Sequence, residues 1–245
     1  MNGFSSDVNI LIGFYYETHD FHDKIEKFFS SIKEKYKTYV ILESVEKMFE
    51  NKISQWNQNA ISLIISTISQ VRFEIKGEID IVEFNKIIDK RIDMNLNELF
   101  KTDSTINSER VRDIINQVIA KYTYYDLTKH DAIRRMMMEF YVGKEEDMVK
   151  IFDDLKNLIK KYFAIGITSL KFNDKIRKNV REYFEKAGTR DIKDDERIAE
   201  DLLCNYENKI DMFVTADNLF CEILRNIVKN GNFEGLEIVN LLKDL

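Results

Sequence analysis

A short apolar run that ends in an acidic turn constrains the fold of this chain more than any other feature. Residues 212–214 are apolar, Thr215-Ala216-Asp217 follows, and large apolar residues then recur at helical spacing over residues 219–227. This pattern predicts a buried strand, a turn and an amphipathic helix. Asp217 is therefore expected at the carboxyl end of a buried strand, the edge of an open α/β sheet at which ligands bind.

Other acidic residues lie at the predicted ends of strands and helices. They are Asp7, Glu43, Glu46, Asp194 and Asp195. The first precedes an apolar run over residues 10–16, and the two glutamates follow a strand-like run over residues 38–42. The last two open a predicted helix over residues 196–206, whose apolar side chains share one face. Each of these acids is a candidate to converge with Asp217.

The two outer parts of the chain alternate between strand and helix patterns. A short strand around Phe4, a helix over residues 24–36 and a strand over residues 39–42 predict one β-α-β unit. Near the other end, the pattern predicts a buried strand over residues 163–167 and a helix over residues 174–186. The outer parts therefore belong to the α/β class.

The middle of the chain has a different character. Residues 56–160 show helical periodicity with almost no strand signal. Their apolar positions predict amphipathic helices that pack on one another. We therefore predict a discontinuous α/β core formed by residues 1–55 and 162–245, interrupted by a large all-helical insertion over residues 56–161.

The order of the acids along the chain resembles that of the PIN-domain nucleases. The matching features are Asp-x-Asn at residues 7–9, a glutamate after the second strand, an aspartate that opens a late helix, and Thr-x-Asp at residues 215–217. The resemblance covers the two outer parts only. It implies a three-layer α/β/α core with a mainly parallel sheet.

The resemblance also implies roles for individual residues. By position, Asp7, Asp195 and Asp217 would be metal ligands, with Glu46 or Glu43 as a fourth. Asp194 competes with Asp195 for its place, since either of them is also a good helix cap. Asn9 and Thr215 would support the site by hydrogen bonds that orient the acids.

A cluster of this kind has a definite chemistry. Three or four carboxylates without His or Cys are hard oxygen donors that suit Mg²⁺ or Mn²⁺, and they repel one another unless a cation is bound. Such ions activate water and offset charge on phosphate oxygens. The expected activity is that of a metal-dependent nuclease, and the resemblance implies RNA as the substrate, with DNA as the alternative.

A basic stretch precedes the late acidic pair. Residues 171–193 carry more Lys and Arg than Asp and Glu, although the whole protein is acidic. Basic side chains there are suited to hold phosphates, and an ordinary solvated helix face is the competing interpretation. The predicted nucleic-acid-binding residues are Lys175, Arg177, Lys178 and Arg181.

Composition narrows the remaining possibilities. Hydrophobic residues make up 44% of the 245 residues, and the net charge is −6 with a pI near 5.3, so only a local strip of surface is expected to bind nucleic acid. The start of the chain lacks a signal-peptide pattern, and its longest uncharged span, residues 53–71, is too polar to cross a bilayer. Cys204 and Cys221 lie on apolar helical faces and indicate buried thiols of a reducing compartment. We therefore expect a cytoplasmic protein without a membrane-spanning segment.

Two rival interpretations differ in class. The first is a non-catalytic PIN-like scaffold that keeps the acids without a competent geometry and holds a partner through its helical insertion. The second is an all-helical interaction protein, which would contain no sheet. The role of the insertion is also open, because it is equally suited to cover the site, to select the substrate or to form a homodimer surface.

Overall fold

The computed structural model describes residues 3–17, 19–75, 79–102, 108–142, 145–169, 171, 173–188, 193–206, 210–231 and 233–244. The chain forms two compact units. The first consists of Met1–Glu50 and Phe152–Leu245, and the second of Asn51–Ile151. The domain boundaries predicted from the sequence lie at residues 55/56 and 161/162. That the two parts are independent domains stays a prediction.

A five-stranded parallel sheet forms the centre of the first unit. Its strands are β1 (Gly3–Ser6), β2 (Thr38–Ile41), β3 (Ala164–Ile167), β4 (Ile210–Thr215) and β5 (Glu237–Asn240), in the spatial order β3-β2-β1-β4-β5. All the strands are parallel, so their carboxyl ends lie at one edge. The order along the sheet reverses between β1 and β4. Such a reversal leaves a crevice outside the carboxyl ends of the two strands.

The helices carry the remaining regular structure. They are α1 (Val8–Tyr15), α2 (His22–Ile32), α3 (Glu43–Glu74), α4 (Ile81–Thr102), α5 (Ser108–Lys121), α6 (His130–Met137), α7 (Glu145–Ile159), α8 (Asp174–Lys186), α9 (Lys193–Asn205) and α10 (Asn218–Asn230). A 3₁₀ turn (Asp126–Thr128) and a π-helical segment (Met138–Val142) flank α6. The boundaries between the two units fall within α3 and α7.

Both faces of the sheet are buried. Phe4 of β1 is 0% exposed, and its ring contacts those of Phe29 in α2 and Tyr39 in β2 with centroid distances of 5.7 and 4.9 Å. On the opposite face, Phe213 of β4 contacts Phe220 of α10 at 6.0 Å. Successive residues of a strand point to opposite faces, and the fully buried strands of a parallel sheet require helices on both.

The second unit is helical in the described residues 51–75, 79–102, 108–142 and 145–151. Apolar side chains such as Ile64, Ile88 and Ile114 are buried within it. It also buries a polar pair, in which Arg110 Nε donates to Asn57 Oδ1 at 3.0 Å. Hydrogen bonding of this kind offsets the cost of placing a guanidinium in a core.

The structure confirms several sequence-based expectations about secondary structure. The strands near Phe4, at residues 39–42 and before Asp217 are present, and Asp174–Lys186 is helical. The parallel sheet shows that the all-helical interpretation is wrong.

Two expectations about burial are wrong. β3 was expected to be buried, yet Ile167 is 58% exposed. β3 is one of the two edge strands and pairs with β2 alone. Cys221 is buried as expected, whereas Cys204 is only half-buried.

Strand β5 had no counterpart in the sequence interpretation, since its four residues carry too short a pattern.

The described helices include none that is both long enough and apolar enough to cross a membrane.

Phe4→Ala tests whether β1 depends on its single large apolar side chain. The substitution empties a fully buried ring position, so we expect the free energy of unfolding to fall by about 3–5 kcal/mol. Phe73→Ala is the matched control, because Phe73 is 88% exposed and its loss is expected to change stability by less than about 0.5 kcal/mol. Urea denaturation measures both. Equal losses in the two variants would contradict the core role of Phe4.

Candidate functional site

Asp7 lies at the point where β1 ends and α1 begins. Its backbone N–H donates to Val214 O of β4 at 3.0 Å, which fixes the end of β1 beside β4. Its carboxylate caps α1, because Oδ1 accepts from the Ile10 N–H at 3.0 Å. The residue is only 2% exposed. A buried carboxylate therefore stands at the carboxyl edge of the sheet, next to the reversal in strand order.

Thr215 joins Asp7 to Asp217. The Thr215 hydroxyl donates to Asp7 Oδ2 and accepts from the Asp217 N–H at 3.0 Å. Asp217 is exposed and caps α10, since its Oδ1 accepts from the Phe220 N–H at 2.8 Å. The last residue of β4 thus brings two aspartates together that are 210 positions apart in sequence. We call Asp7, Thr215 and Asp217 the aspartate pair site.

The environment of Asp7 disfavours its negative charge. Burial raises its pKa from 3.8 to about 6, against the opposing effects of the Thr215 hydroxyl and of the backbone amides of Ile10 and Asn9. The charge of Asp217 raises it further. A positive charge placed between the two carboxylates would reverse this balance, because it favours the ionised form of both.

A chain of hydrogen bonds connects the aspartate pair site to β2. The Tyr39 hydroxyl lies 2.5 Å from Ser6 Oγ, and Ser6 Oγ donates to the backbone carbonyl of Asp7 at 3.2 Å. Burial raises the pKa of Tyr39 well above its usual range, so its hydroxyl keeps its proton and can donate it to Ser6. These bonds tie β2 to the turn that carries Asp7.

A second acidic feature lies at the same edge, beside β2 and β3. It is a groove with a volume of about 570 Å³, lined by Glu43, Glu46, Lys47, Glu50, Ile167, Thr168 and Ser169. We call it the acidic groove. The ends of adjacent strands are only about 5 Å apart, and β2 is next to β1. The groove and the aspartate pair site therefore belong to one edge of one sheet.

The acidic groove combines a half-buried carboxylate with a buried hydroxyl. Burial raises the pKa of Glu46, and although Lys156 opposes this, the charges of Glu50 and Glu43 add to it. Thr168 lines the groove and is 9% exposed, yet its Oγ1 has no hydrogen-bond partner among the described residues. A buried hydroxyl without a hydrogen-bond partner is costly to the folded state.

The other predicted site residues lie outside the aspartate pair site or differ from their expected role. Asp194 and Asp195 lie in the first turn of α9, where the first is exposed and the second is half-buried. Asn9 contributes to the site through its backbone amide, which bonds to the carboxylate of Asp7, while the residue itself is exposed. Glu43 forms an ion pair with Lys47 at 2.5 Å.

The basic stretch is only partly available for a ligand. Arg177 and Arg181 of α8 form ion pairs with Glu200 and Glu196 of α9, at 3.5 and 3.4 Å. Lys175 and Lys178, also on α8, are both exposed. Residues 172 and 189–192 of this stretch lie outside the described residues.

Sequence reasoning missed two acids that the structure brings into view. Glu50 lines the acidic groove with Glu43 and Glu46, and a search for acids at spacings of three and four on one helix face would have found it. Asp201 is fully buried in α9, where it accepts from the Ser44 N–H at 2.9 Å. No local pattern signals its bond to Ser44, because the two residues are distant in sequence.

The donor chemistry of the aspartate pair site fits a hard divalent cation. Its two carboxylates are oxygen donors that Thr215 links, and Mg²⁺ is commonly held by one or two carboxylates while it keeps several waters. Within the described ranges, no group of three or more His, Cys, Asp or Glu side chains is placed to hold a metal ion. Any ion at this site is therefore expected to depend on water and on a substrate for much of its coordination.

Comparison with known proteins gives no further guide to function. No protein-family model matches the chain, and neither curated proteins nor solved structures yield a match.

Asp7→Asn tests the electrostatic cost of the buried carboxylate. The pKa of Asp7 is about 6 in the folded protein and 3.8 ordinarily, so the folded state binds more protons between those values and loses stability as the pH rises through them. Asparagine keeps the cap without the charge. Without divalent cations, we expect the variant to raise the free energy of unfolding at pH 7.5 by up to about 3 kcal/mol. This gain should fade below about pH 4. Urea denaturation across pH measures it, and a gain that does not depend on pH would contradict the assignment.

Thr215→Val tests the bridging hydroxyl. The substitution keeps the shape of the side chain but leaves Asp7 Oδ2 without its donor and the Asp217 N–H without its acceptor. We expect the free energy of unfolding to fall by about 1–3 kcal/mol. Thr215→Ser keeps the hydroxyl and is the matched control. Thermal and urea denaturation distinguish the two variants, and a Ser variant that loses as much as the Val variant would show that the methyl group, not the hydroxyl, matters.

Proposed function

We propose that this protein is a divalent-metal-dependent nuclease of the PIN type that hydrolyses phosphodiester bonds, with RNA as its substrate. The observation that carries the proposal is the hydrogen-bonded link from Asp7 through Thr215 to Asp217 at the reversal of strand order. A crevice at this position is where open α/β sheets bind ligands. The order of the acids along the chain, which resembles that of PIN-domain nucleases, supports the same activity.

The residues of the site have distinct roles in this proposal. Asp7 and Asp217 hold Mg²⁺ or Mn²⁺, and Thr215 orients both of them. A bound cation of this kind would lower the pKa of a water molecule and offset charge on the phosphate oxygens. Glu46 with Glu43, and Asp195 with Asp194, stay proposed as further acids of the site, although the described residues place no group of three or more acids around one metal position.

Substrate binding requires positive charge in an acidic protein. Lys175 and Lys178 of α8 are the proposed phosphate contacts, because both are exposed, whereas Arg177 and Arg181 are engaged in ion pairs with α9. Phosphate contacts from lysine position a nucleic acid without reading its sequence. Binding should therefore weaken as the salt concentration rises.

A non-catalytic scaffold is the second candidate, and one observation favours it. Asp7 and Asp217 are both helix caps, with hydrogen bonds to Ile10 N and Phe220 N. Capping alone explains an aspartate at the N-cap position of a helix. In a scaffold, the two acids would stabilise α1 and α10 and would have no cation to hold.

Asp217→Asn separates the two candidates. Asparagine keeps the cap of α10 but removes the charge, so a nuclease should lose on the order of 100-fold in cleavage rate, the size of effect expected when several kcal/mol of charge stabilisation are lost. Cleavage of fluorophore-quencher RNA and DNA oligonucleotides in Mg²⁺ and Mn²⁺ measures the rate. In parallel, a thermal-shift titration should show that Mn²⁺ raises the melting temperature of the wild type and not that of the variant.

Asp80→Asn is the matched control. Asp80 caps α4 in the second unit, where its Oδ1 accepts from the Val82 N–H at 2.7 Å, so the change has the same chemistry without touching the site. We expect this control to cleave and to respond to Mn²⁺ as the wild type does. If the wild type neither cleaves nor responds to Mn²⁺, the nuclease proposal is wrong and the scaffold proposal is favoured.

A further inference from the structure

Asp201 is a buried carboxylate that the proposed chemistry does not use. It lies in α9 and is 0% exposed. Removing a carboxylate from water is costly unless hydrogen bonds replace its hydration. We therefore expect Asp201 to have a structural role that a smaller or apolar residue could not provide.

The first hydrogen bond of Asp201 reaches one wall of the acidic groove. Its Oδ2 accepts from the Ser44 N–H at 2.9 Å, in the first turn of α3. The same turn carries Glu43 and Glu46, which line the groove. A negative charge is favourable at a helix start, because the backbone N–H groups there point outward. Asp201 thus fixes the start of α3 from outside that helix.

The second hydrogen bond leads to the opposite wall. Asp201 Oδ1 accepts from Asn205 Nδ2 at 2.8 Å, and the same Nδ2 lies 3.3 Å from Ser169 O. Ser169 and Thr168 line the groove on the side of β3. One turn of α9 is therefore bonded to both walls.

The chemistry of the pair explains why it consists of one carboxylate and one amide. The Asp201 carboxylate and the Asp201 backbone carbonyl both accept from Asn205 Nδ2, at 2.8 and 3.0 Å, so Asn205 presents its NH₂ group to them. That orientation is the one that can also donate to the Ser169 carbonyl. With an amide at position 201 whose oxygen accepts from Ser44, its NH₂ group would face the Asn205 NH₂ group. If the Asn205 amide turned over instead, its oxygen would face the backbone carbonyls of residues 201 and 169, which accept from Nδ2 at 3.0 and 3.3 Å.

We propose that Asp201 and Asn205 are positioning residues that fix the two walls of the acidic groove relative to each other. Resting on the proposed nuclease function, the pair thereby sets where Glu43 and Glu46 stand for cation and substrate. Neither residue touches a reacting atom in this role. The pair acts through the Ser44 amide on one side and the Ser169 carbonyl on the other.

Hydrogen exchange on the full chain tests the positioning role without relying on activity. The variants are Asp201→Asn, which keeps an acceptor for the Ser44 amide, and Asn205→Ala, which removes the bond to Ser169. The Thr168 amide donates to Ile41 O at 3.1 Å and reports on the β3 wall, while the Ser44 amide reports on the α3 wall. We expect exchange at Thr168 to rise at least fivefold in both variants. Exchange at Ser44 should change less in Asp201→Asn, because the new amide oxygen still accepts from the Ser44 N–H. Unchanged exchange at Thr168 in both variants would overturn the proposal.

A second measurement separates positioning from general loss of stability. We expect the Mn²⁺ concentration that gives half of the thermal shift to rise at least fivefold in Asp201→Asn, with a matching fall in kcat. Asp80→Ala removes the capping carboxylate of α4 in the other unit and should alter neither value. Faster exchange combined with a wild-type Mn²⁺ response and a wild-type kcat would overturn the link to the site.

The outcomes also distinguish this proposal from the proposed function. If the wild type shows neither cleavage nor a Mn²⁺ response, the nuclease assignment fails. In that case, faster exchange at the groove walls in the variants still supports the structural half of the inference, and unchanged exchange overturns it as well.

Discussion

The placement of β1 between β2 and β4 is the constraint on which the rest of the candidate site depends. β1 has only four residues, and Phe4 is its single large apolar side chain, yet it is paired on both sides and fully buried. The bond from the Asp7 amide to Val214 O extends the pairing with β4 past the end of the strand. Because of this pairing, a residue at the start of the chain meets one near its end.

The acids at this edge have two functions that do not conflict. As helix caps, Asp7 and Asp217 satisfy backbone amides that would otherwise lack partners. Burial raises the pKa of Asp7, and the neighbouring charge of Asp217 adds to this effect. Capping uses Oδ1 of each carboxylate, and Oδ2 of Asp7 also accepts from the Thr215 hydroxyl, so a further ligand of Asp7 would use a remaining lone pair. Structural and chemical roles can thus coexist in the same side chains.

The acidic groove and the aspartate pair site are linked by the sheet and differ in how they are held. Thr215 of β4 connects the aspartates directly through its hydroxyl. The groove is instead fixed from α9, through the buried pair of Asp201 and Asn205. A strand and a helix therefore supply independent supports at one edge. Rigid support of this kind is what a site needs if its charged groups are to keep a fixed geometry.

Sequence alone determined the features that depend on local periodicity and capping. The β4 strand, the turn at Asp217 and the helix α8 follow from residues close together in the chain, because apolar spacing and caps act over one or two turns. Tertiary structure decided which acids meet. The link from Asp7 to Asp217, the exposed edge position of β3 and the bond from Asp201 to Ser44 all depend on strand order and on contacts between distant segments. No local pattern encodes these, since they are set only when the whole sheet assembles.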